Sequence, residues 1–304
     1  MNQPGLIAID WGTSSFRAFL LNRSGQVIEQ IANGHGILNV PENDFEGLFK
    51  TLVEPWTKLF GILPVVMSGM IGSKQGWVEA PYLQCPASVD NIANAAAQLK
   101  ISDMDLFIMP GLQGIGLSGA PDVMRGEETQ IAGALSHMTT NSGLFCIPGT
   151  HSKWASVVSG KITEFSTFMT GETFAVMRDH SILGKLMSGS SQHHETYIQG
   201  LERSKSTGGL LHQLFGVRSE GLMGNIQQEN LEAFMSGLLI GSEINEAVRS
   251  FGSHQKVSLI ATGALGELYK SGLEHYGIDY ELTDAHDVTI HGLHQAALKL
   301  GLLK

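Results

Sequence analysis

One arrangement occurs twice in the sequence. The stretches LIAIDWGTSSFRAFLLNRSGQVIEQI, Leu6 to Ile31, and LFCIPGTHSKWASVVSGKITEFSTF, Leu144 to Phe168, read alike. Each is an apolar strand, a Gly-Thr tip with small polar residues, a second apolar strand, a glycine turn and a third strand. The tips are Gly12-Thr13-Ser14-Ser15 and Gly149-Thr150-His151-Ser152, and the turns are Gly25 and Gly160. The second copy is one residue shorter before its Gly-Thr and two shorter at the later turn, and Pro148 stands where the first copy has Asp10. A duplicated meander followed by helices predicts two similar α/β domains facing each other across a cleft.

The rest of the chain supplies the helices. Between the copies the pattern predicts a helix around Phe45 to Phe60, a strand over Leu63 to Gly69, a helix near Val89 to Leu99, a strand over Leu106 to Gly111 and a helix around Glu127 to Leu135. After the second copy come helical stretches around Thr173 to Leu186 and Leu231 to Phe251, then a strand over Val257 to Thr262 and a helix over Ala264 to Gly277. A short strand over Tyr280 to Thr283 and a terminal helix over Thr289 to Leu303 complete the reading. The expected domains are 1–135 and 136–304, with the terminal helix able to pack back on the first.

Charge and composition exclude several classes of function. With a net charge of −10 across 304 residues, the chain is poorly matched to a phosphate backbone, whose binding rests on Lys and Arg. No nucleic-acid partner is expected. The two cysteines, Cys85 and Cys146, form no C-x-x-C pattern, which argues against a disulfide framework or structural zinc and fits a reducing cytoplasm. The N-terminus lacks a basic region followed by a long apolar one, and no uncharged apolar run approaches the roughly 18 residues of a membrane span. A soluble, unprocessed protein without a membrane partner is expected.

The tips carry the chemistry. A turn of Gly, Thr and Ser offers backbone N–H groups and hydroxyls without bulk, which suits phosphate oxygens. Two such tips could grip a triphosphate, and Asp10 could hold Mg²⁺ directly or through water. The bland alternative is that Gly-Thr pairs simply build hairpins, and repetition weighs against it. At the end of a predicted central strand, where ligands of open α/β sheets bind, Ser68 and Gly69 offer donors, while Met70 and Trp77 read equally well as loop and core residues. The adjacent acids Glu127 and Glu128 open a helix, where one can cap the N-terminus while its neighbour points elsewhere.

Three other motifs are set aside. Gly114 to Gly119 matches G-x-G-x-x-G, but Pro121 and Asp122 interrupt the helix a dinucleotide site requires, and no acid stands about 20 residues on. His193-His194-Glu195 lies in SGSSQHHE, whose composition reads as an exposed loop rather than a metal site. No Gly-Lys-Ser/Thr is present, so an ordinary P-loop is excluded.

The pattern Asp10-Trp11-Gly12-Thr13-Ser14, then Gly149-Thr150-His151-Ser152-Lys153, then LIATGAL at Leu259 to Leu265 resembles the two phosphate motifs and the adenosine motif of the sugar kinase, heat-shock ATPase and actin superfamily. More narrowly, VVMSGMIGSKQGWVEAPYL, MRGEETQIAGAL, PGTHSKW and FMTGE together resemble the 2-dehydro-3-deoxygalactonokinase family, from about Ile7 to the terminal helix. The resemblance implies two RNase H-like domains of the actin-like ATPase type. It also implies ATP and Mg²⁺ as cofactors and a small-molecule sugar acid as partner, phosphorylated on its 6-hydroxyl in galactonate catabolism. A homodimer and the choice between galacto and gluco epimers are left open.

It further implies roles. Asp10 organises Mg²⁺; Gly12, Thr13, Ser14, Gly149, Thr150, His151 and Lys153 meet the phosphates; Thr262 and Gly263 lie against the adenosine. Glu127 takes the place of the catalytic base, with Glu128 as its rival, and Arg125 pairs with the substrate carboxylate or the transferring phosphoryl. Ser68, Gly69, Met70, Trp77, Thr170 and Glu172 line the acceptor site. A competing reading is a non-catalytic nucleotide-binding regulator or simple ATPase of the same superfamily, and a more distant one is a nicotinamide enzyme.

Overall fold

A computed structural model describes residues 3–189, 193–252 and 256–303. The chain forms two compact units. The first takes in residues 1–142, 157–165 and 283–304, the second residues 143–156 and 166–282.

In the first unit, strands β1 (Pro4–Trp11), β2 (Phe16–Asn22) and β3 (Val27–Asn33) make the first meander, and α1 (Phe45–Phe60) leads into β4 (Val65–Ser68). The connection onward holds β5 (Tyr82–Gln84), β6 (Ala87–Ser88), α2 (Val89–Asn94), β7 (Ala97–Ile101), β8 (Met104–Ile108), β9 (Gly111–Ile115), β10 (Pro121–Met124) and α3 (Glu127–Leu135). The main sheet runs β3-β2-β1-β4-β8-β7, and a smaller one runs β10-β9-β5. β1 pairs antiparallel with β2 and parallel with β4, so the central strand is hydrogen-bonded on both sides.

The core lies where the apolar faces meet. In α1 the buried residues Phe45, Phe49, Val53 and Trp56 recur at helical spacing, while the Asp44 side chain accepts the Gly47 N–H at 2.8 Å and starts the helix. That face packs with Ile7, Ile9, Trp11, Val65, Met67, Leu106 and Ile108 of the sheet. Fully burying one such side chain stabilises the fold by about 1.5–3 kcal/mol, so this sheet and helix are a firm base for whatever the strand ends carry.

The second unit holds β11 (Gly143–Ile147), most of β12 (Ser152–Val158), the end of β13 (Lys161–Phe168), α4 (Thr170–His180), α5 (His194–Ser204), α6 (Gly209–Leu222), α7 (Leu231–Phe251), β14 (Val257–Ile260), α8 (Gly263–His275) and β15 (Tyr280–Thr283). Its strands are ordered β15-β14-β11-β12-β13. β11 pairs parallel with β14 as β1 pairs with β4, so the repeat in the sequence is a repeat in topology. The last helix, α9 (Ala285–Lys299), belongs to the first unit and packs on α3.

Several elements differ from the sequence reading. The helix expected over Val89 to Leu99 stops at Asn94, and Ala97–Ile101 instead pairs antiparallel with β8. The alanines there favour a helix locally, but ladder hydrogen bonds and alternating burial decide the outcome. The helix expected from Thr173 starts at Thr170 and ends at His180, and the terminal helix starts at Ala285, where Asp284 accepts two backbone N–H groups. Helices α5 and α6 and strands β5, β6, β9 and β10 were not expected. Exposed His193 stands just ahead of α5, and its ring nitrogen accepts from the Thr196 N–H and caps that helix, while residues 190–192 of that segment lie outside the described residues. The set-aside glycine motif spans β9 and the turn into β10, so an antiparallel strand rather than a helix directly follows it.

Candidate active site

In the first unit the site is built on Asp10, the next-to-last residue of β1. In the ladder register it stands opposite Arg17 of β2 on one side and Ser68 of β4 on the other. Residues opposite one another in an antiparallel pair share a face, and Arg17 Nη2 lies 3.0 Å from Asp10 Oδ2. Burial raises the Asp10 pKa, and the charges of Arg17 and then His286 of α9 oppose that rise. The tip itself is closed by the Gly12 N–H donating to Ser15 O at 2.9 Å, so that N–H is committed to the hairpin, while Thr13 and Ser14 are exposed.

Beyond β4 the chain turns through Gly69, whose φ of +93° favours glycine, and a Cβ there would stand 2.9 Å from Trp11 O and 3.3 Å from Asp10 Oδ1. Glycine at this position keeps the space beside the carboxylate open. Gly126 lies next to it, with a Cβ position 3.4 Å from Gly69 Cα, and so brings the start of α3 to the same place. There the Arg125 N–H donates to Glu127 Oε2 at 3.0 Å and the Gly126 N–H to Glu128 Oε2 at 2.7 Å. The two acids differ in surroundings. Glu127 is half-buried, whereas Glu128 is sealed and its pKa is pushed up to about 7, first by burial and then by the charge of Glu127.

Arg125 is 7% exposed, stacks over the Tyr82 ring at 4.2 Å and donates from Nη2 to Ala80 O at 2.9 Å. Its Nε and Nη1, with Ser68 Oγ, are buried without hydrogen-bond partners among the described residues. Unsatisfied buried donors are uncommon in folded proteins. Met70 and Trp77 pack against the core, Trp77 in edge contact with Trp11 and tilted against Phe49.

In the second unit Gly149, Thr150 and His151 form the tip, with Thr150 and His151 exposed. Lys153 is buried at the start of β12 rather than projecting from the tip. The first turn of α4 lies against the tip: the Glu172 N–H donates to Thr150 O at 2.9 Å, and the Glu172 carboxylate pairs with His151 Nε2. The Thr170 hydroxyl donates to Glu243. Thr170 and Glu172 are thus grouped with the Gly149–His151 tip of their own unit. Thr262 and Gly263 stand at the exposed junction of β14 and α8, Gly263 with φ +61°.

The reading from sequence missed Arg17, His286, Tyr82, Tyr269 and Glu243. Arg17 had a legible signal, because a four-residue tip folds 11 onto 16 and therefore 10 onto 17. The others are separated from their partners by long stretches of chain and carried none.

Comparison with known proteins bears on this geometry. A family model described as 2-keto-3-deoxy-galactonokinase matches residues 10–296. The chain belongs to this family. A probable 2-dehydro-3-deoxygalactonokinase of Rhizobium meliloti (strain 1021) is 36% identical over 298 residues, covering 95% of each chain. The 2-dehydro-3-deoxygalactonokinase of Escherichia coli (strain K12) is 34% identical over 274 residues, covering 90% of each. A crystal structure of a candidate 2-dehydro-3-deoxygalactonokinase from Sinorhizobium meliloti superposes with a TM-score of 0.91 at 34% identity, covering 97% of this chain and 99% of that one. At 11% identity and a TM-score of 0.51, the ADPNP-bound activator of 2-hydroxyisocaproyl-CoA dehydratase from Clostridium difficile shares the fold alone. The fold of this galactonokinase family member is that of the actin-like ATPases. Among the described residues no helix is long and apolar enough to cross a membrane.

Proposed function

We propose that this chain transfers the γ-phosphoryl group of MgATP to the 6-hydroxyl of 2-dehydro-3-deoxy-D-galactonate, giving the 6-phosphate and ADP in the cytoplasm. The observation that carries the reading is the match, along nine-tenths or more of the chain, to relatives that bear this activity as their name.

Mg²⁺ enters as part of the substrate. It binds through one or two carboxylates together with substrate phosphates and keeps several waters, and it draws off charge from the phosphoryl oxygens. Asp10 fits such an ion, with Oδ1 beside the space that Gly69 leaves. Thr13, Ser14, Gly149, Thr150 and His151 are assigned to phosphate oxygens, and Thr262 and Gly263 to the adenosine.

In this reading Glu127 accepts the proton of the 6-hydroxyl as its oxygen attacks the γ-phosphorus and the bond to the ADP oxygen breaks. Glu127 is preferred over Glu128 because Glu128 is sealed and turned onto the Gly126 N–H and the Thr129 hydroxyl. Arg125, with Nη1 beside Gly72 and lacking a hydrogen-bond partner among the described residues, takes the substrate carboxylate. Ser68, Gly69, Met70 and Trp77 shape the acceptor pocket around it.

The test is ADP release measured with galacto- and gluco-configured 2-keto-3-deoxy acids and without acceptor. Release is expected to depend on the acid. Glu127→Gln is expected to lower kcat by about 10²–10⁴-fold with the acceptor KM nearly unchanged. Asp10→Asn is expected to impair use of MgATP while acceptor binding survives. ADP release indifferent to every acceptor would overturn the proposal.

A further inference from the structure

Glu243 lies in the middle of α7, 3% exposed, and no step described so far uses it. Its carboxylate gathers three donors from three other elements. Trp154 Nε1, which can only donate, reaches Oε1 at 2.8 Å. The Tyr269 hydroxyl of α8 reaches Oε2 at 2.6 Å, and the Thr170 hydroxyl at the start of α4 reaches the same oxygen. Burial raises the Glu243 pKa, and the Thr170, Tyr269, Trp154 and Ser152 hydrogen bonds oppose it.

The direction of these bonds fixes the direction of the next ones. Tyr269 commits its proton to Glu243, so across the 2.9 Å between Ser152 Oγ and Tyr269 the serine is the donor. Ser152 Oγ then presents lone pairs to the Gly149 N–H, 3.5 Å away. A one-way chain therefore runs from the glycine of the second tip through Ser152 and Tyr269 to Glu243. A second branch reaches Glu243 from Thr170, in the same turn whose Glu172 holds Thr150 O and His151.

We infer that Glu243 is a positioning residue for nucleotide phosphates: by anchoring Ser152 through Tyr269 and the first turn of α4 through Thr170, it holds the 149–152 tip in its binding shape. The inference rests on the assignment of that tip to ATP in the proposed function. A carboxylate is required because all three partners donate. An amide can accept at only one end, so one donor is orphaned or the chain reverses and Ser152 turns its proton toward the tip.

MgADP affinity by calorimetry, with steady-state KM values for MgATP and for the sugar acid, tests this in wild type, Glu243→Gln and Tyr269→Phe. Glu243→Gln is expected to weaken MgADP binding and raise the MgATP KM by about 10-fold or more, as misplacement of a positioning element does, with the sugar-acid KM within about twofold of wild type. Tyr269→Phe is expected to move the same constants in the same direction by less, since it cuts one branch, and it carries the contrast alone should the Gln variant not fold. Equal MgADP affinity in wild type and variants overturns the role of Glu243 while leaving nucleotide binding in place. A wild type that binds no MgADP overturns both this role and the assignment of the tip.

Discussion

Asp10 is held between opposed influences, and the balance sets how it can serve a cation. Removing its carboxylate from water favours the protonated form, while the Arg17 guanidinium at 3.0 Å, and more weakly His286, favour the ionised form that binds a metal. Arg17→Met keeps much of the aliphatic stem and deletes the charge. The Asp10 pKa is then expected to rise further, moving the acid limb of kcat/KM for MgATP upward by about one pH unit or more. At higher pH the variant recovers, and the KM for the sugar acid stays near that of wild type. An acid limb in the same place would show that Arg17 does not tune Asp10. The same pair marks what could be read from sequence at this scale. Asp10 was legible from its place at the strand end, whereas Arg17 belongs to no motif and is placed beside it only by the hairpin register, which pairs 10 with 17.

At the start of α3, two adjacent acids meet two successive backbone N–H groups. Helix N-termini favour negative charge, yet Glu128 is so fully enclosed that burial outweighs this. Its folded pKa of about 7 lies above the unfolded value of 4.5, so its contribution to stability is complete below pH 4.5 and is lost as pH rises toward 7. Glu128→Gln lacks that loss. The unfolding free energy of wild type relative to the variant is therefore expected to fall between pH 4 and pH 8 by on the order of 3 kcal/mol, measurable by urea titration at the two pH values. A constant difference would mean that Glu128 does not titrate anomalously. The helix itself was legible to the residue from its acids and its apolar face, as were α1 and α7. Short pieces were not: β7 has a helix-forming sequence and becomes a strand only because β8 offers a ladder, and β5 and β6 are too short for any period to register. The tips could be located because glycine and hydroxyl residues are local signals. The network ending on Glu243 could not, since it joins positions up to 117 residues apart.

The first unit is completed by the end of the chain: α9 docks on α3, which lies well over a hundred residues earlier, and also touches β1 and β4. The docking depends on two glycines set against each other. A Cβ at Gly133 would collide with Val288 O and stand 2.7 Å from Gly292 N, and one at Gly292 would collide with Thr129 O. Backbone on both sides cannot yield as a flexible side chain would, so either alanine must push the helices apart. Overpacking of this kind costs about 1–3 kcal/mol, against the smaller gain alanine brings to helix propensity. Gly133→Ala and Gly292→Ala are each expected to lower the urea midpoint at unchanged m-value. Because the first substitution already opens the space that the second needs, the double variant is expected to lose less than the sum, by about 0.5 kcal/mol or more. The effect should also reach Asp10, since α9 carries His286, one of the two cations opposing its burial. Displacing that helix is expected to raise the acid limb of MgATP use in the same direction as Arg17→Met, though less. Strictly additive losses with an unmoved pH profile would show that the helices slide apart without strain and that the C-terminal helix does not reach the first tip.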